Sequence, residues 1–160
     1  MRNTKGFSLI ELLIVVAIIL IIAAIAAPSF LHSRIVANES AAVGALRTLN
    51  SAQITYNSTY PTVGFASTLG NMAGTTCASA APTSTGACLI DSALALGTKS
   101  GYVFTLSGVS GTPASTYQVI ATPVGPNQTG VRYFCSYADA VIRVSLATIP
   151  TCDGTVTPQQ

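Results

Sequence analysis

One stretch limits what this chain can become: GFSLIELLIVVAIILIIAAIAA, running from Gly6 to Ala27. From Phe7 to Ala27 it carries one charge, Glu11, and it is about the length a helix needs to cross a bilayer's hydrocarbon core. The head before it, MRNTKG, holds Arg2 and Lys5 and no acid, a bias that keeps the N-terminus in the cytoplasm and sends the remainder across the membrane. A carboxylate in such a helix is expensive, roughly 2.5 to 3.5 kcal/mol at the bilayer centre on insertion scales. Leu would anchor the chain better, so Glu11 calls for a role.

GFSLIE, followed by an apolar run and Pro28, resembles the N-terminus of type IV pilins and type II secretion pseudopilins. The resemblance is specific for residues 1 to about 60 and only architectural beyond. It implies that a prepilin peptidase cuts after Gly6, that the new N-terminal Phe7 is N-methylated, and that Glu11 guides assembly. Pro28 falls in the helix through which such subunits assemble. The implied partners are that peptidase and methylase, an inner-membrane assembly platform, other pilins and further copies of the chain. The implied location is the inner membrane before assembly, as a single pass, and an extracellular pilus or periplasmic pseudopilus afterwards. An ordinary signal peptide is the competing reading, with Ala24-Ile25-Ala26 as its cleavage site. Against it stand an apolar run slightly long for that purpose, the charge of Glu11 at its start, and a Gly6-Phe7 pair that a signal peptide has no use for.

Helical periodicity resumes after Pro28, although proline lacks the amide donor and its ring crowds the preceding turn. Leu31, Ile35, Ala42, Leu46, Leu49, Gln53 and Tyr56 recur at helical spacings, with Arg34, Glu39, Arg47 and Asn50 largely on other faces and a gap in the stripe at Asn38 and Glu39. In the family this is one long helix, roughly 75 Å if it runs from Phe7 to about Asn57. It stops before Pro61. The expected organisation is a leader at 1–6, a helix at 7–60 with a membrane or filament-core part at 7–27 and an amphipathic part at 28–60, and a globular domain at 61–160 with a variable loop at 61–100.

The connection from Thr62 to Gly86 is rich in Gly, Ala, Ser, Thr and Pro and reads as surface chain without core. A short helix is expected from Asp91 to Leu96, with Asp91 as N-cap and Gly97 as stop. After Lys99 strand signals dominate, at Tyr102–Leu106, Tyr117–Thr122, Val131–Tyr137 and Val141–Leu146, joined as an antiparallel meander. One face should bury Tyr102, Phe104, Val119 and Tyr133 against the helix. The fold class is therefore α+β, a long N-terminal helix on a small antiparallel sheet, the arrangement of pilins.

Cys77, Cys88, Cys135 and Cys152 all follow the membrane segment, and an even count in an exported domain indicates disulfides. Sequence alone does not choose among three pairings. Neighbours are expected to pair, Cys77 with Cys88 across a short loop and Cys135 with Cys152, the latter resembling the disulfide-bounded C-terminal region of many pilins. No CxxC pair exists and His32, the lone histidine, lies beside the membrane segment, so no metal site or cofactor is expected. Charged residues are 8% of the chain, against roughly 25% in an average soluble domain, and the basic ones are dispersed, which leaves no nucleic-acid footprint. Asp91, Asp139 and Asp153 are scattered in caps and turns, and no nucleophile and base pair is visible; enzymatic chemistry is not expected. The expected function is a structural filament subunit, of a type IV pilus or, as the alternative, of a type II secretion pseudopilus, whose major subunit would carry a more acidic C-terminal region than Ala147 to Gln160. A secreted or membrane-tethered binding module is the reading from another class.

Overall fold

The structure is a computed structural model and describes residues 6–74, 77 and 81–159. The chain divides into two compact units, one ending at Arg34 and one beginning at Ile35. Helix α1, Leu9–Thr59, contributes to both, and Pro28 lies inside it without ending it. Proline removes one amide donor and crowds the preceding turn, and α1 continues through it. Every described residue up to Arg34, the apolar side chains included, is exposed.

In the second unit α1 buries Glu39, Ala42, Val43, Ala45, Leu46, Leu49, Asn50, Ala52, Gln53 and Tyr56. Their spacing is helical, but the stripe takes in two of the four residues expected on other faces. Glu39 and Asn50 lie inside it, Leu31 is exposed and Ile35 only half-buried. Their side chains find polar partners on distant segments, which makes their burial affordable.

Two one-turn helices follow, α2 at Leu69–Met72, capped by Thr68, and α3 at Ser92–Ala95, capped by Asp91, whose carboxylate accepts the Leu94 amide at 2.9 Å. Gly97 ends the second with a φ of +76°. The connection around α2 is more than surface chain. Ala66, Leu69 and Met72 are buried in the main core, and Ala87, Cys88 and Leu89 donate backbone hydrogen bonds to Asn71, Ala73 and Met72. Three apolar side chains suffice because the backbone between them is paired.

Five strands form an antiparallel meander in sequence order: β1 Thr98–Lys99, β2 Tyr102–Gly111, β3 Ala114–Pro123, β4 Tyr133–Tyr137 and β5 Arg143–Ser145. The face turned to α1 buries Tyr102, Phe104, Tyr117, Val119, Ala121 and Phe134. Phe134, opposite Ala121, takes the place expected of Tyr133. Successive residues of a strand point to opposite faces, so Tyr133 joins Cys135, Ile149, Cys152 and Val156 in a smaller cluster on the other side. The C-terminal tail covers the outer edge of β5: Val144 donates to Thr157 and Gln159 to Ile142. Covered edges resist pairing with other chains.

Candidate functional site

Gly6, Phe7 and Ser8 precede the helix, and Phe7 is 77% exposed. A Cβ added at Gly6 would meet nothing within 4 Å, so no other described segment packs against Gly6 at that point. Arg2 and Lys5 lie outside the described residues. With α1 starting at Leu9, Ser8 is the N-cap and Glu11 the third helical residue. The Ser8 amide donates to Glu11 Oε2 at 2.9 Å, while the Ser8 carbonyl accepts from Leu12 at 3.2 Å. This is the carboxylate half of a capping box, in which an acid at that position satisfies an amide the helix start leaves without a partner. The signal for it, Ser8-x-x-Glu11, stands in the sequence beside the membrane and assembly readings of Glu11. Gly6, Phe7 and Glu11 are thus gathered at the helix start, and Pro28 sits well inside the same exposed apolar segment.

A cut after Gly6 would leave an amine on Phe7, beside the Ser8 amide that already holds Glu11. A carboxylate has two oxygens, and one of Glu11's is committed here. Together these residues offer a peptide bond outside regular structure and an anchored acid at the mouth of an apolar helix.

The remaining cysteines and charges serve the second unit. Cys77 pairs with Cys88 and Cys135 with Cys152, with Cα separations of 5.7 and 5.8 Å. Among the described residues, no group of three or more His, Cys, Asp or Glu is placed to hold a metal ion. Three of the dispersed basic residues are paired: Lys99 with Asp91, Arg132 with Glu39 and Arg143 with Asp139. Asp139 does shape its turn, accepting the Val141 amide, and it also takes both terminal nitrogens of the buried Arg143. Burial opposes the Asp139 charge, but Arg143 and the Val141 amide outweigh it and hold the carboxyl below its ordinary range.

Along α1, polar side chains grip the connecting segments. Glu39 Oε1 accepts the Val131 and Arg132 amides at 2.9 and 3.0 Å, and Oε2 accepts Arg132 Nε at 2.7 Å. Burial disfavours this charge, yet the two amides and the guanidinium more than compensate, and the Glu39 carboxyl lies below the usual glutamate value. Asn50 donates to Ser136 Oγ and the Ala140 carbonyl and accepts from the Tyr117 hydroxyl. Tyr117 is pushed up to about 12, first by burial and then by Asp139. Gln53 exchanges two hydrogen bonds with the backbone of Ala66, and the Tyr56 hydroxyl donates to the Ser84 carbonyl.

Comparison with known proteins locates similarity at the N-terminus. Residues 1–27 match the family described as the prokaryotic N-terminal methylation motif. Over 40 residues the chain is 60% identical to the type IV wide pilus major component PilA4 of Thermus thermophilus, a stretch that is 25% of this chain and 30% of that protein. The match thus spans under a third of the curated relative's length. No solved structure matches the chain.

Proposed function

We propose that this chain, whose N-terminal region is that of a type IV pilin-like methylation-motif protein, is a structural subunit of a type IV pilus-like filament. The observation that carries the reading is the union of an exposed Gly6–Phe7 peptide, an anchored Glu11 and a long, wholly exposed apolar helix start. The C-terminal region, Ala147 to Gln160, carries Asp153 as its one acid, which favours a pilus over a secretion pseudopilus.

Each part has a physical role. The apolar side chains from Phe7 to Leu31 need cover, supplied by lipid before assembly and by the helices of other copies afterwards. A prepilin peptidase cuts after Gly6 and a methylase modifies the Phe7 amine. The inner-membrane assembly platform then draws the helix out of the bilayer. Within lipid an unpaired carboxylate is strongly disfavoured. Glu11 keeps Oε2 on the Ser8 amide and offers Oε1 to the Phe7 amine of another subunit. A charge pair formed at only one axial stagger sets register, as buried polar groups do in other helical assemblies. The disulfide-clipped sheet domain remains outside the helical core and forms the filament surface.

The test is Glu11→Val in cells that assemble the protein. Insertion and cleavage should persist, since Gly6 and the apolar helix are intact, while sheared surface filaments fall to a small fraction of the wild-type yield. Glu11→Asp should be milder. Normal yield from Glu11→Val, with cleavage verified, would remove Glu11 from assembly.

A further inference from the structure

The two disulfides are not equivalent. Cys135 and Cys152 are 0% and 6% exposed, inside the smaller cluster with Ile149. Cys77 is exposed and Cys88 half-buried. Cys88 also lines a cleft of about 540 Å³ whose wall includes Gly70, Ala73, Ser92 and the exposed Leu96. An attacking thiolate must approach a sulfur directly, so access governs which bond exchanges.

The surroundings of Cys88 hold without the bond. Its amide donates to Ala73 at 2.8 Å, flanked by Ala87 to Asn71 at 2.8 Å and Leu89 to Met72 at 2.7 Å. Further along, Thr83 and Gly86 exchange backbone hydrogen bonds and Tyr56 reaches Ser84. Cys88 itself has a φ of +59°, a left-handed conformation seldom adopted by a residue with a side chain. Opening the bond removes one of the constraints on that conformation while the paired backbone keeps its partners.

We propose that Cys77–Cys88 is a redox-sensitive exchange site on the surface of the second unit, opened by an external dithiol, small or carried by a protein, while Cys135–Cys152 stays closed. A thiolate of the reductant attacks the sulfur of the exposed Cys77. The Cys77–Cys88 bond breaks, a mixed disulfide forms on Cys77, and Cys88 leaves as a thiolate that takes a proton from water. The reductant's second thiol then attacks the mixed disulfide, releasing Cys77. The reductant departs as its disulfide, and two electrons have passed to the pair. The product keeps its core and carries a new thiol in the wall of the cleft, where an oxidant or a thiol-bearing molecule can close it again.

The experiment is graded reduction of the full chain in detergent micelles with dithiothreitol, quenched with iodoacetamide and read by peptide mass. Cys77 and Cys88 should become alkylated about tenfold faster than Cys135 and Cys152. Simultaneous labelling of all four, or earlier labelling of Cys135 and Cys152, would overturn the proposal. In the Cys77→Ser, Cys88→Ser double variant the near-ultraviolet tyrosine signal should match the wild type. Its loss would show that the bond holds the core and that no switch exists.

Discussion

Replacing Glu39 separates the two oxygens of its carboxylate. Oε1 serves the amides of Val131 and Arg132, and Oε2 serves the Arg132 guanidinium. Glu39→Ala removes both, leaving two amides without an acceptor next to the core. Val131 is 40% exposed and Arg132 half-buried, so each such donor costs the lower end of about 1 to 3 kcal/mol. The Arg132 side chain is 43% exposed, and its guanidinium turns to water at small loss. The sum is about 3 kcal/mol. Glu39→Gln retains a carbonyl oxygen for the amides and gives up only the guanidinium contact, for about 1 kcal/mol. Urea unfolding of the full chain in detergent, followed by tyrosine circular dichroism, measures both, and amide exchange at Val131 and Arg132 localises them. Equal losses in the two variants would mean that the ion pair, not the amide grip, carries the stability; a loss in Glu39→Ala well below 1 kcal/mol would refute the grip itself. The pH dependence has a fixed sign. The Glu39 carboxyl is lowered in the folded state, so its contribution is complete above the ordinary value of 4.5 and disappears as the pH falls through the lower folded value. The advantage of wild type over Glu39→Gln should shrink in acid.

Gly6→Val places a β-branched side chain beside the proposed cut and should leave a full-length, membrane-retained precursor, read as an unshifted band on a gel; a mature band of normal size would remove the cut from Gly6. Gly130→Ala puts a Cβ into the ring and hydroxyl of the buried Tyr102, which donates to the Arg132 carbonyl, so the domain should lose about 1 to 3 kcal/mol in the same unfolding assay. A stability equal to wild type would mean that Tyr102 has room to move.

Much of the architecture was legible because it rests on local signals. The apolar run, the alternation in β2 and β3 and the Asp91 cap each act over a few residues. What escaped depends on partners far away in sequence. Glu39 and Asn50 read as interruptions of an apolar stripe, since the groups that satisfy them, Arg132, Ser136 and Ala140, lie more than eighty residues along the chain. Phe134 and Tyr133 differ by one position and are both aromatic, so only the register with Ala121 decides which faces the helix. The core residues Leu69 and Met72 were hidden in a stretch whose composition is that of a loop. At the candidate site the reverse occurred. Glu11 stood out as a misplaced charge, and its contact with Ser8 needed only the serine three residues before it to be noticed.

Filament assembly through the N-terminal helix requires that the mature chain begin at Phe7. Surface filaments sheared from cells that express the protein can be dissolved and the subunit's N-terminus determined by sequencing and intact mass. This chain should be present in the filaments and begin at Phe7, with one methyl group on its amine. A chain beginning near Ala27, or one retaining Met1 and absent from the sheared fraction, would contradict it.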